Sequence, residues 1–266
     1  VTTDFLLGEN NKGLKKGINQ RIYSKSYRKY AGKYNLYFYG TVNCESGTVT
    51  VATLEINFAK EEAVTMKIAT SEGGEKLYYG DLQISEMSPN VFIVLNSDFG
   101  EQVSLTFYDE PMNCETFQCA VGAMLSISAG DLKRAPVLNR FIITGYDVDE
   151  AHMKFIKAHL KLNTKYIDIS PEMLSTSVEG VFGKCEMADR ITDRLKKAFY
   201  SKRYYAIEDS FIVNTLRKDE NLSLRQADEL IAELRNNSLS NINFKINKSL
   251  DSTVYRCTNP KNISQE

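Results

Sequence analysis

Between Tyr34 and Thr144 apolar and polar residues alternate with the two-residue period of half-buried strands. Val64, Met66 and Ile68 fall on one side while Thr65, Lys67 and Ala69 fall on the other. Val103, Leu105 and Phe107 alternate in the same way with Gln102, Ser104 and Thr106. The pattern predicts strands over 34–41, 49–58, 63–70, 77–85, 91–96, 102–108, 119–128 and 137–144. Turn-forming runs separate them, among them Ser71-Glu72-Gly73-Gly74, Ser88-Pro89-Asn90 and Ser97-Asp98-Phe99-Gly100. The connections are short, as hairpins require, and no helical period interrupts them, which argues against βαβ units. Closure of eight such strands into an up-and-down barrel removes every edge, whereas a two-sheet sandwich must cover its edges by other means. The barrel is the expected architecture.

After Gly145 the period changes to that of helices. Residues 148–161 place Val148, His152, Phe155, Ile156 and His159 near one face, and further helical runs cover 187–200 and 205–217. The best-defined helix follows the capping box Ser223-Leu224-Arg225-Gln226, with Ala227, Leu230, Ile231 and Leu234 at helical spacing. The tail predicts a hairpin of two short strands, 243–246 and 254–257. Helix followed by hairpin is also the order of a winged helix, but many domains with that order bind no nucleic acid. The fold class is therefore α+β, an eight-stranded antiparallel barrel followed by a mainly helical domain with a short terminal hairpin. Its divisions are a basic tether over 1–33, the barrel over 34–146 and the helical domain over 147–266.

Composition sharpens this division. The chain has 266 residues, 42% hydrophobic and 25% charged, as in an ordinary globular protein. The net charge of −1 hides a distribution: residues 1–33 sum to +6, 34–150 to −11 and 151–266 to +4. An acidic barrel repels phosphate. No apolar run is long enough to span a bilayer, and the first residues lack the apolar region of a signal peptide. The five cysteines form no dense framework, so free thiols in the cytoplasm are the expectation.

Chemical constellations are sparse. His152 and His159, the two histidines, lie on similar faces of one helix and cannot complete a zinc site alone. Cys114 and Cys119 could pair or hold a metal, but two free thiols are the plainer reading. The nucleophile elbow, the P-loop and the dinucleotide-binding fingerprint are all missing from the sequence. Gly73 and Gly74 belong to a hairpin turn, and Glu61-Glu62 and Asp109-Glu110 sit at strand ends. The expectation is a protein that is not an enzyme, with no catalytic residue, metal or cofactor. The basic aromatic run from Arg194 to Tyr205 could hold phosphates and stack bases. As the solvated end of an amphipathic helix it needs no ligand.

Two stretches carry resemblances. Gly32-Lys33-Tyr34 heads the first strand and Arg140 lies in the last, which resembles lipocalin-like (calycin) barrels, with Tyr34 where the family has Trp. The resemblance implies that Tyr34 and Arg140 close one end of the barrel through a cation–π contact. The opening Val1-Thr2-Thr3-Asp4-Phe5-Leu6-Leu7-Gly8 resembles the end of a Cro/C1-type (XRE-family) helix-turn-helix domain. That likeness implies the sensing or assembly region of a bacterial transcriptional regulator, with DNA bound only through a domain upstream of this chain. A homodimer would suit such a region. The alternative is a free-standing lipocalin-like protein that carries a small apolar or amphipathic molecule. In either case the expected ligand site is the barrel lumen, lined by Phe38, Ile56, Phe58, Met66, Phe107 and Met124. The small residues Ala120, Gly122 and Ala123 suggest open volume beside them.

Overall fold

The alternating stretch folds as eight antiparallel strands: β1 (Gly32–Tyr39), β2 (Val49–Ile56), β3 (Val64–Ala69), β4 (Glu75–Ile84), β5 (Asn90–Asn96), β6 (Gln102–Tyr108), β7 (Cys119–Ile127) and β8 (Pro136–Thr144). In this computed structural model residues 25–41, 48–70, 73–85, 87–109, 116–128, 134–162, 166–199 and 204–242 are described, with the backbone of 244–245. Each strand pairs with its neighbour in sequence, and β1 returns to β8 from Asn35↔Thr144 to Phe38↔Phe141. The barrel is closed. Because β8 runs on beyond its pairing with β1, a final strand β11 (Phe244–Lys245) pairs with Leu138 and Val137 there. Of the predicted terminal hairpin, 244–245 form this short strand on the barrel, and 254–257 lie outside the described residues.

Alternation sends Leu36, Leu54, Ile56, Met66, Ile93, Leu105, Met124 and Ile143 into one shared core. Part of the expected tether belongs to this core as well. A short helix α1 (Lys25–Arg28) and the turn after it lay aromatic side chains across one end of the barrel. The Tyr27 ring meets Phe58 edge-on at 6.0 Å, and fully buried Tyr30 packs on Phe107 and Phe117. Tyr30 donates to Asp109, to which Lys29 also forms an ion pair at 2.9 Å.

The helical part begins with α2 (Met153–Leu160), shorter than the predicted 148–161. It continues through β9 (Tyr166–Ile169), α3 (Pro171–Phe182) and α4 (Glu186–Ala198). The strand β10 (Tyr205–Glu208) pairs antiparallel with β9 and leads into α5 (Asp209–Phe211), a π-helical turn (Ile212–Leu216) and α6 (Arg217–Asp219). The last helix is α7 (Leu224–Asn236), whose Ser223/Gln226 capping box forms as the sequence predicts. Sequence reading missed α3 and β9, although Ser170 caps α3 and Pro171 stands at its first turn. It also merged β10 with the following helix.

A second core holds this part together, centred on Ile169, Leu174, Ile191, Leu195, Ile207, Leu216 and Leu230. A third, smaller cluster joins the two parts. Tyr37, Tyr39 and Ile142 on the outer wall of β1 and β8 pack against Ile156 and Leu160 of α2. Among the described residues no helix is long and apolar enough to cross a membrane.

Candidate functional site

The lumen comes first because it was the expected site. Phe38, Ile56, Met66, Phe107 and Met124 all face inward in one contiguous core, with Phe58 packed at its edge. They belong to one buried cluster, in which Ile56, Met66 and Met124 are no more than 2% exposed. Gly122 does not mark free volume either. A Cβ added there would lie 2.3 Å from the Thr106 carbonyl oxygen and 2.5 Å from Cζ of Phe141, whose ring covers the glycine. Ala123 points outward. The expectation of open volume beside β7 is corrected: Phe141 fills it.

Tyr34 and Arg140 do not meet. Tyr34 points inward, packs on Phe117 at 5.3 Å and donates its hydroxyl to the Tyr30 carbonyl at 2.9 Å. Arg140 alternates with inward Asn139 and Phe141 and so leaves the barrel on its outer face. The implied cation–π closure therefore does not form, and the end it was to close is occupied by Tyr27 and Tyr30.

The lumen retains one polar feature. Asn139 is 1% exposed, and its amide oxygen and nitrogen find no hydrogen-bond partner among the described residues. At the end of the barrel away from Tyr30, Glu101 gathers Tyr78, Lys76 and Arg134. Burial pushes the Glu101 carboxyl up, but the Tyr78 hydroxyl and the two cations outweigh it, and the group stays below the ordinary range. The Tyr78 hydroxyl moves up, first by burial and then by its bond to Glu101.

An open concave surface lies in the helical part. A groove of about 930 Å³ is lined by His152, Phe155 and His159 at the start of and along α2, Asp209 and Val213 on α5 and the π turn, and Leu224, Arg225, Asp228 and Ile231 on α7. Helical geometry assembles it. Positions 152, 155 and 159 recur at three and four residues, as do 224, 228 and 231, so each helix offers one stripe. A π turn places Val213 in the wall, and such turns often accompany functional sites. Phe155, Val213, Leu224 and Ile231 give an apolar surface, with charged and imidazole groups among them.

Hydrogen bonds fix the polar groups of the groove. His159 Nδ1 lies 2.8 Å from the Phe155 carbonyl oxygen, which only accepts, so Nδ1 is the donor of that bond. His152 pairs with Asp149 at 2.6 Å, and that hydrogen bond holds the Asp149 carboxyl below its ordinary value. The His152 ring stacks on Phe155 at 6.3 Å. Asp209 pairs with Arg235, and Arg225 with Glu229.

The helix that forms one wall of this groove also grips the barrel. Arg140 donates to the carbonyls of His159 at 3.2 Å and Lys161 at 2.7 Å, capping the end of α2. Lys161 in turn donates to the carbonyls of Asn236 and Ser238 at the end of α7. Both cations have lowered pKa values, Arg140 by burial and then the nearby Arg235 charge, Lys161 by burial. Tyr39 completes the grip by donating to the Lys157 carbonyl at 2.8 Å.

The basic aromatic run offers less to phosphate than its composition suggests. Arg194 is paired with Asp219 at 2.5 Å and Glu220 at 2.9 Å, and the Phe199 ring is set edge-on against Phe211 at 4.9 Å. Tyr200, Lys202 and Arg203 lie outside the described residues, as do Cys114 and the whole helix-turn-helix likeness over 1–8. Among the described residues no group of three or more His, Cys, Asp or Glu side chains is placed to hold a metal. Compared with protein-family models, with curated proteins and with solved structures, the chain matches none. The reading of function rests on geometry.

Three of the groove residues, His152, Phe155 and His159, were visible in the sequence as one helical face. Asp209, Val213, Leu224 and Asp228 were not. The available signal was the stripe at 224, 228 and 231, which runs beside the apolar stripe that α7 buries.

Proposed function

We propose that this chain is the ligand-sensing region of a bacterial transcriptional regulator and that its ligand sits in the helical groove. The observation that supports this is the double duty of α2. One face of the helix lines an open groove, and its end is held to the barrel by Arg140. A ligand that favours one spacing of α2, the π turn and α7 would bias how the helical part sits on the barrel, which is the differential affinity that regulation requires. The lining suits a small amphipathic molecule: apolar along Phe155, Val213, Leu224 and Ile231, and hydrogen-bonding at His159 and Asp228. The barrel in this reading is a scaffold. Its packed interior weighs against the second reading, a free-standing lipocalin-like carrier, because such a carrier needs a hollow lumen. The likeness of residues 1–8 to the end of an XRE-family domain supplies the link to DNA, through a domain preceding this chain. Localisation in the cytoplasm belongs to the same proposal.

Native mass spectrometry of the purified chain, paired with Val213→Trp, tests the site. Val213 is half-buried in the groove wall, so a larger ring there fills the groove. A co-purified small molecule should be lost in Val213→Trp while the melting temperature changes by a few degrees at most. Full retention of that molecule in the folded variant would move the site away from the groove.

A further inference from the structure

The apolar outer wall of the barrel does not stop where α2 covers it. Next to the covered strip on β1 and β8, outward positions of β7 carry Val121, Ala123, Leu125 and Ile127, all exposed. Leu138 of β8 continues the patch, and Phe92 and Val94 of β5 lie beyond it at 39% and 42% exposure. Between the columns of β5 and β7 stand Ser104 and Thr106 of β6, in register with Val94 and Leu125 and with Phe92 and Ala123. Every outward residue of β5, β6 and β7 is uncharged, and Arg140, the outward charge of β8, is turned to the carbonyls that end α2. Apolar exposure of this extent on a four-strand face marks a contact surface.

We propose that this face of β5 to β8 is where a second copy of the chain docks. Charge selects the occupant. The segment 34–150 sums to −11, so a basic partner would be drawn to the acidic remainder of the barrel, where this face offers it no ion pair. Two acidic copies, conversely, can approach only where neither presents charge, and a partner for this face needs an uncharged surface of the same kind. The face supplies that surface itself. Its relief is ridge and furrow: Phe92 and Val94 on β5, and Val121, Leu125 and Ile127 on β7, stand higher than the short Ser104 and Thr106 between the two strands. A two-fold axis running between β6 and β7 sets the β7 ridge of each copy into the β6 furrow of the other, the isologous arrangement that closes at two copies. The two sheets would then pack about 10 Å apart with aligned strands. The uncovered face also adjoins the wall that α2 already buries, so docking there would complete one continuous apolar surface. This goes beyond the groove reading and can fail without it.

Sedimentation equilibrium of the chain, of Val94→Glu, of Leu125→Arg and of Glu61→Lys decides the matter. The unaltered chain should sediment at twice its own mass. Each face variant should weaken association at least about 100-fold, because docking would desolvate a charge with no partner. Glu61→Lys, on an exposed turn away from the face, should stay dimeric. Both altered face side chains point to solvent, so far-ultraviolet circular dichroism of dilute protein should be unchanged. A chain that remains monomeric at about 100 µM would overturn the proposal, as would dimers that persist in both face variants. Truncation after Lys245 probes the other occupant. If removing 246–266 turns a monomer into a dimer, the tail of the same chain covers the face and the proposal fails.

Discussion

Asn139 shares the inward side of β8 with Val137 and Phe141, opposite Met124, so its amide lies among apolar side chains. Leaving such a group without a partner costs about 1–3 kcal/mol, more than an apolar side chain of similar shape would. Asn139→Leu should therefore raise the stability of the barrel by about 1–3 kcal/mol in denaturant melts. A loss of stability would mean that the amide hydrogen-bonds a molecule held inside the barrel, and the lumen would regain its case as a site. The inward set Phe38, Ile56, Met66, Phe107 and Met124 was legible because alternation alone decides which face a strand residue takes. Whether those residues meet was not. Gly122 illustrates the limit: the sequence shows a small residue, and only the fold shows Phe141 lying over it. For the same reason Arg140 could be assigned to a strand but not to α2, which it caps from 19 residues away in sequence.

At the scale of elements, the eight strands and the helix after Ser223 were readable because their cues are local: alternation, turn residues, a capping box. The elements that were missed depend on partners far along the chain. β9 and β10 are four residues each and exist as a pair, so neither carries enough period to announce itself. The end of α2 is set in the same way, by contacts from β1 and β8 rather than by a stop signal of its own. Tyr39 is part of that grip. Burial pushes its hydroxyl up to about 12 from an ordinary value near 10. Because the folded value is the higher one, the stabilisation is fully present below pH 10. It drains away as the pH rises from 10 through 12, by about 1.4 kcal/mol for each pH unit. Tyr39→Phe should cost about 1 kcal/mol at neutral pH through the lost hydrogen bond to Lys157. Its stability should then fall less steeply than that of the parent between pH 10 and 12, so that the two curves converge. Parallel curves over that range would mean that Tyr39 ionises freely and does not hold α2.

For the whole molecule, charge is distributed against nucleic acid where the fold is best defined. The barrel segment sums to −11, and the +4 of residues 151–266 is partly neutralised in place, as Arg190 and Arg194 are by Asp219 and Glu220. The remaining excess of base lies in residues 1–33. Of that segment Lys29 is already tied to Asp109, and Tyr27 and Tyr30 are built into the end of the barrel. A basic segment that acts through its charge alone contacts phosphates and reads no base edges, so whatever affinity it lends is electrostatic and independent of sequence. Residues 1–266 should therefore bind duplex DNA weakly, with no preference among sequences. Binding should fall steeply with added salt and be lost near physiological ionic strength. A fluorescence-anisotropy titration against several unrelated duplexes at two salt concentrations measures both properties. If one duplex is retained selectively at physiological salt, this chain contains a reading element of its own. The helical part, with Lys197 exposed and Lys196 half-buried on α4, would then be the place to look for it, and the reading of the chain as a region that acts through a separate DNA-binding domain would have to be given up.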